Sequence, residues 1–542
     1  MSIKYNIEGL NKLIIGLALF ILSGCSKDFL NELPTGAVAE ATFWKTEEDA
    51  HGGLMGVYST FYHSYAERVQ DLDKSMAWMC AFAGYGSWRN FGWSRGDQLD
   101  ITSGPPIALW PACYKHISQA NNFLQNIEKV NMDNGKKAEM SAEVRFLRSF
   151  TYFWLSQTFG NVPLVKEVLT FDEANHVSQV TEQEVLQFAL DEVRAIENDL
   201  PVKQPAVDEG RIERGAALVL EGRILMTMKK WTEAAEAFKK VIDLNRYSIN
   251  PEFKSMFLQS GENNNEFIFV NKYVQDLMGE AMSQNNMRSS LWGGFNALNV
   301  FQHFVDAFLM TDGNSIDDSP LYDPNQPFNN RDPRLYASVL LSGYSTVFGK
   351  VFNGSPEEIV KVGQTGPNIS GYIINKFFDP DYTGNRQAYG SDYPQMRYAE
   401  VLLSYLECQL EAGVSITQDL LDQTINKIRL RPSVNIATVT ELNPDKLRDI
   451  IKRERWVELA FEGGIRYWDL RRWHILKEEV DREVYGMKIT DDPSNYTGQY
   501  NINADGHLII GRVNFQDYNY LWPIPITEID VNSNLKQNPG YN

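Results

Sequence analysis

Aromatic side chains crowd residues 78–93: Trp78, Phe82, Tyr85, Trp88, Phe91 and Trp93. Gly84, Gly86, Gly92 and Gly96 are interleaved with them, as are Ser87, Arg89, Asn90, Ser94 and Arg95. Glycine at this density opposes a helix, so several rings are expected to project from a loop. Flat rings offer apolar faces to the C–H faces of sugars, while neighbouring Arg and Asn hydrogen-bond hydroxyls and fix orientation. Trp78 and Phe82 read as core. Tyr85, Trp88 and Trp93, with Arg89 and Asn90, read as ligand contacts.

Other clusters invite chemistry but read as scaffold. Glu454, Glu458 and Glu462 recur every fourth residue, which places them on one face of a helix predicted over 444–462. Arg453, Arg455, Arg466, Arg471 and Arg472 lie close by in sequence. Arg–carboxylate forks tying this helix to a loop are a simpler account than acid–base catalysis or a metal. Arg331-Asp332-Pro333-Arg334 reads as a turn locked by ion pairs. Asp312-Gly313-Asn314 with Asp317 and Asp318 offers oxygens to Ca²⁺, but the spacing of a calcium-binding helix-loop-helix is absent, so no metal or other cofactor is expected. The seven histidines are scattered, with no H-E-x-x-H. The stretch from Gly343 to Lys350 is off phosphate-loop spacing, and no G-x-S-x-G occurs. A glycosidase carboxylate pair need not be close in sequence, so a hydrolase stands as an alternative.

The elements that would position these residues begin with an export signal. Lys4 and Lys12 precede an apolar run over 13–22, interrupted only by Gly16. A helix needs about 20 apolar residues to span a bilayer; this run has the length of a signal-peptide core. Leu22-Ser23-Gly24-Cys25 follows at once, the pattern a lipoprotein signal peptidase cuts, so 1–24 are expected to be removed and Cys25 lipidated. Residues 25–45 read as a tether and 46–542 as one body. Hydrophobic content of 43% and charged content of 22% suit a globular body. A net charge of −19, with no Lys/Arg-rich stripe, excludes nucleic acid as a partner. Cys80, Cys113 and Cys408 lack C-x-x-C spacing and read as buried hydrophobes, a Cys80–Cys113 bridge being the alternative.

The middle of the chain predicts helices over 114–130, 138–158, 181–199, 211–229, 231–244, 395–412, 418–430 and 444–462. Within 211–244, Gly222, Ala234 and Phe238 follow the small–small–aromatic spacing of a tetratricopeptide helix pair, with the turn and N-cap in Lys230-Trp231-Thr232-Glu233. No clean 34-residue period extends beyond it, so the pairs are degenerate. Loop-rich parts are expected over 60–113, 245–394 and 480–542, with short strands over 266–270, 338–341 and 373–378.

Six blocks in order carry a resemblance. The first is Cys25, Phe29-Leu30, Pro34, Phe43-Trp44 and Glu48-Asp49-Ala50. The helix pair 211–244 is the second. Asp312-Gly313 with Arg331-Asp332-Pro333-Arg334-Leu335 is the third, and 397–403 the fourth. The run 451–473 is the fifth, and the tail from Pro523-Ile524-Pro525 to Gly540-Tyr541 the sixth. Together they resemble the SusD/RagB family of outer-membrane nutrient-uptake lipoproteins of Bacteroidetes, over essentially the whole mature chain. The resemblance implies a mainly α fold: four degenerate tetratricopeptide-like helix pairs (about 114–244 and 395–475) with a loop-rich part packed on them. It implies a lipid-anchored protein at the outer face of the outer membrane. Such a protein binds a glycan and serves as lid to a SusC-like TonB-dependent transporter. Lys27-Asp28 resembles the family's surface-export signal. A later loop also contributes to the family's glycan site. Here 286–296 supplies it, with Asn286, Arg288, Trp292 and Phe295 around Gly293-Gly294. A same-fold binder of a non-sugar nutrient such as peptide is a further alternative.

Overall fold

Paired polar and turn-forming residues set the helix ends, and apolar stripes decide how the helices nest. The computed structural model describes residues 43–61, 82–88, 99–281, 283–284, 288, 292–296, 298–352, 370–489 and 501–541. Helix α1 (Glu47–Phe61) opens where Thr46 and Asp49 cap each other: Thr46 N–H donates to Asp49 Oδ2 at 2.8 Å, and Asp49 N–H to Thr46 Oγ1 at 3.2 Å. Helix α2 (Pro105–Ile127) carries Pro105 and Pro106 in its first turn, where their missing N–H groups are no loss. Pro111 lies inside it, which is why sequence reading starts this helix only at 114 and assigns 105–113 to a loop. Helix α3 (Asn134–Phe159) begins on Asp133, whose side chain accepts from Lys136 N–H, and stops at Gly160 with φ 71°. Helix α4 (Glu182–Ile196) starts on a Thr181–Glu184 capping box.

The next pair, α5 (Arg214–Thr227) and α6 (Trp231–Asp243), is the one foreseen from spacing. A Cβ added to Gly222 would lie 2.4 Å from the Phe238 ring, so only glycine admits this approach. Ala234 and Phe238 are fully buried beside it. The turn differs from expectation: Lys230 precedes the helix without a side-chain cap, and Lys229 adopts φ 57°. Gly222→Ala is expected to destabilise the protein by about 1–3 kcal/mol through overpacking. Alanine's better helix propensity, about 1 kcal/mol, offsets only part of that. Urea denaturation would measure the difference.

Consecutive helices continue to pack: α6 on α7 (Tyr398–Glu411), and α7 on α10 (Pro444–Glu458), with α8 (Gln418–Gln423) and α9 (Ile425–Arg429) between them. The result is a helical scaffold of nested pairs, α1/α2, α3/α4, α5/α6 and α7/α10. Helix α11 (Ile465–Trp473) follows. Strands are short. β1 (Gly86–Trp88), β3 (Leu298–Val300), β5 (Ile373–Ile374) and β4 (Val339–Leu340) form one sheet in that order, and β2 (Phe267–Asn271) pairs with β6 (Tyr393–Arg397). No described helix is long and apolar enough to cross a membrane. Cys25 and the signal lie outside the described residues.

Scaffold and loop-rich part are joined by a buried ionic knot. Five cations, Arg334, Arg397, Arg429, Arg431 and Lys376, meet five carboxylates, Glu266, Asp332, Glu454, Glu458 and Glu462. Arg397 lies 2.6 Å from Glu266 and 2.7 Å from Glu458, and Arg334 lies 2.7 Å from Glu454 and 2.9 Å from Glu458. The predicted forks exist, but with other partners. Arg455 binds Asp469, Arg466 binds Glu479, Arg471 binds Glu182, Arg472 binds Glu407, and Arg453 is exposed. Glu462 is not on the helix face either. Helix α10 ends at Glu458, and Phe461, Gly463 and Gly464 take positive φ, which turns the chain so that Glu462 reaches Arg397 and Lys376. Arg331 also departs from the ion-pair reading: it donates to the carbonyls of Val305, Phe308 and Pro327, while Asp332 pairs with Arg334.

Candidate functional site

Residues 86–88, within the first stretch singled out in the sequence, pair in one ladder with 298–300, just past the second. β1 and β3 are antiparallel, with Gly86 opposite Val300, Ser87 opposite Asn299 and Trp88 opposite Leu298. The chain therefore leaves β1 after Trp88 at the end where the loop holding Trp292–Asn296 leads into β3. Asn299 O would lie 2.1 Å from a Cβ on Gly86, so glycine is required for this approach. Trp78, Arg89, Asn90, Trp93 and Asn286, and the side chain of Trp88, lie outside the described residues.

Trp292 anchors the described part of the site. Its ring is half-buried and stacks on Phe378 with centroids 5.9 Å apart and planes 9° apart. Phe352 and Phe348 meet it edge-on at 5.6 and 6.0 Å. These rings form a satellite core with Leu340, Val347 and Ile373, separate from the main core. Gly293 has φ 78°, and its missing side chain leaves room for the Arg386 guanidinium, which donates to the Trp292 carbonyl at 2.9 Å. Asn296 N–H closes the loop onto the Arg288 carbonyl at 2.8 Å. Phe295 is left 50% exposed. Arg288 is buried, its guanidinium 4.7 Å from the Phe348 centroid and 5.7 Å from that of Phe378. Trp292 and Arg288 thus meet the same two rings, Phe348 and Phe378.

Tyr85 is a correction. It is 1% exposed, packs between Phe304 and Phe461 with centroids 4.9 Å from each, and donates its hydroxyl to the Trp456 carbonyl. Its own carbonyl accepts from Phe301 N–H at 3.0 Å, so the residue is pinned inside as β1 begins. Phe82 is core, as expected, edge-on to Trp522. Sequence reading missed Arg386, Phe348 and Phe378, which no local motif marks. It also extended β5 too far: 375–378 form a turn because half-buried Lys254 donates to the carbonyls of Asn375, Lys376 and Phe378, the last at 2.7 Å. Burial pushes the Lys254 ammonium down to about 7.

A model described as the SusD family matches residues 265–541, and one described as starch-binding, associating with the outer membrane, matches 28–223. The chain belongs to the SusD family. Among relatives of this SusD-family chain, the SusD-like protein P2 of Formosa agariphila is 26% identical over 98% of this chain and 99% of its own. A SusD-like carbohydrate-binding protein of Bacteroides fragilis shares its structure with a TM-score of 0.86, at 32% identity over 91% of this chain and all of that one. Surface glycan-binding protein A of Bacteroides thetaiotaomicron, in complex with laminarihexaose, shares the fold with a TM-score of 0.67 at 17% identity over 91% and 99%.

Two other features of this SusD-family body bear on chemistry. In the 312–319 loop, Asp312 accepts from Asn314 N–H and Ser319 Oγ, and Asp318 from Ser315 Oγ, so the loop's own groups occupy these oxygens. Among the described residues no three His, Cys, Asp or Glu side chains are placed to hold an ion. Cys113 is buried in α2, which pushes its thiol up; Cys80 lies outside the described residues. A polar cleft of about 380 Å³ is lined by Glu209, Lys272, Glu262 and Asp392. Lys272 pairs there with Asp392 at 2.7 Å and Glu209 at 3.2 Å. Burial and then Asp392 push the Glu262 carboxyl up to about 7. A raised carboxyl holds its proton in the folded state, so stability falls as pH climbs from the unfolded value through that range. Glu262→Gln is expected to stabilise the protein by about 1 kcal/mol near pH 8, discounted for partial exposure, and not near pH 4. Thermal melts at both pH values check this.

Proposed function

We propose that this protein is a cell-surface glycan-binding lipoprotein. It captures an oligo- or polysaccharide and delivers it to a SusC-like TonB-dependent outer-membrane transporter, over which it acts as a lid. One observation carries the binding role: a half-buried Trp292 and an exposed Phe295 stand on a glycine-shaped loop that leads into β3, the partner strand of β1. An indole face held rigidly by Phe378 and Phe352 offers a preformed stacking surface, so little ordering is needed when a sugar ring lands on it. Similar structures support the ligand class, among them a laminarin-binding SusD-like protein and the laminarihexaose complex above. The anchor rests on Cys25 and its preceding signal, and the surface address on Lys27-Asp28. Binding rather than hydrolysis is supported by the platform's chemistry, which is aromatic and cationic among the described residues.

Affinity electrophoresis of the mature protein through gels containing single polysaccharides tests this reading. Retention by at least one glycan is expected, with no reducing sugar released. Release of reducing sugar would favour the hydrolase, and retention by none of a broad panel would favour a non-sugar nutrient. Co-purification of a barrel transporter with the solubilised lipoprotein tests the partnership.

A further inference from the structure

Arginine in this body follows a rule that one position breaks. Arg334, Arg397, Arg431 and Arg455, all buried, pair with carboxylates. Buried Arg331 lacks a carboxylate but donates to three backbone carbonyls. Arg288 is 7% exposed and, among the described residues, has neither: its Nε is without a partner, and its guanidinium lies over the faces of Phe348 and Phe378. Arg386, half-exposed and 94 residues along the chain from Trp292, spends one N–H on the Trp292 carbonyl. Among the described residues no carboxylate pairs with either guanidinium. The two are close enough that Arg386, after burial, weakens proton binding at Arg288. A buried cation without an anion is unfavourable, and ring faces compensate only in part.

We infer that this platform takes an anionic glycan, one bearing carboxylate or sulfate groups, with Arg288 and Arg386 reading the charge. The inference rests on the glycan-binding reading above and adds the charge of the sugar. Planar guanidiniums match a carboxylate or sulfate with paired N–H donors, while Trp292 and Phe295 offer their faces to the pyranose. A neutral glycan would cover both cations without pairing them. The protein's net charge of −19 repels polyanions at long range, so attraction to one has to be local.

Calorimetry of the mature protein against three oligosaccharides of equal length tests this: a laminari-oligosaccharide (neutral), an oligogalacturonide (carboxylate) and a carrageenan oligosaccharide (sulfate). One anionic probe is expected to bind at least about tenfold tighter than the neutral one at low salt, and which of the two identifies the group. Arg386→Gln should weaken that probe about tenfold, and Arg288→Met more, with folding checked by thermal melts. Should Arg288→Met not fold, Arg386→Gln decides. Tighter binding of the laminari-oligosaccharide than of both anionic probes would overturn the charge inference and leave the glycan reading standing. Equal affinity of Arg386→Gln and the unsubstituted protein for the anionic probe would overturn it too. Failure of all three probes, followed by failure of a broad glycan panel, would remove the underlying reading instead.

Discussion

Arg397→Met is expected to destabilise the body by about 3–5 kcal/mol, enough to abolish soluble expression of a marginally stable protein. Arg397 is fully buried and bonds Glu266, Glu458 and Glu462, as well as the Glu458 carbonyl. Removing it takes one cation from three buried carboxylates, which keep only Arg431 (Glu266), Arg334 and Arg431 (Glu458) and Lys376 (Glu462). Replacing the whole knot by well-packed apolar residues would be a different experiment, since such swaps are often neutral. The same knot predicts acid sensitivity. Arg431, Arg397 and Arg334 hold the Glu458 carboxyl well below the ordinary range despite burial, and Arg334 and Arg429 lower that of Glu454. Depressed carboxyls contribute stability that is full above their unfolded values, near 4.5, and fades as pH drops toward the folded ones. Unfolding midpoints in urea should therefore fall steeply below about pH 4.5. They should fall less steeply in a Glu454→Gln variant that still folds.

Trp292→Ala is expected to lower glycan affinity about thirtyfold, the loss of a central aromatic anchor worth about 2 kcal/mol. Because the ring also packs on Phe378 and Phe352, stability should drop by about 2 kcal/mol as well. The two effects separate in Trp292→Phe, which keeps a ring on Phe378 and should recover most of the stability and part of the affinity. Calorimetry and thermal melts on both variants give the comparison.

Much of the scaffold was legible because its causes are local. Gly222, Ala234 and Phe238 report their own packing through spacing, and Thr181 with Glu184 announces a helix start. Start of α2 was not legible, because Pro111 inside a helix contradicts the local rule and only tertiary packing sustains it. The carboxylate stripe disclosed its chemistry but not its partners: Arg334 reaches Glu454 across 120 residues and Arg397 reaches Glu266 across 131. The site behaved likewise. Trp292, Phe295 and Arg288 stood out by type and by the glycines among them. Arg386, which meets Trp292 across 94 residues, did not. Tyr85 misled because glycines on either side suggest a loop, whereas the chain there enters a strand that buries its ring.

Hydroxyl-radical footprinting with and without a bound glycan addresses the central claim most directly. Phe295, Phe171 and Tyr518 are exposed to 50%, 83% and 39% in the free protein, so each reports on its own surface. A glycan found by affinity electrophoresis is expected to protect Trp292 and Phe295 and to leave Phe171 and Tyr518 unchanged. Protection at Phe171 or Tyr518, with Trp292 and Phe295 oxidised as fast as before, would contradict it.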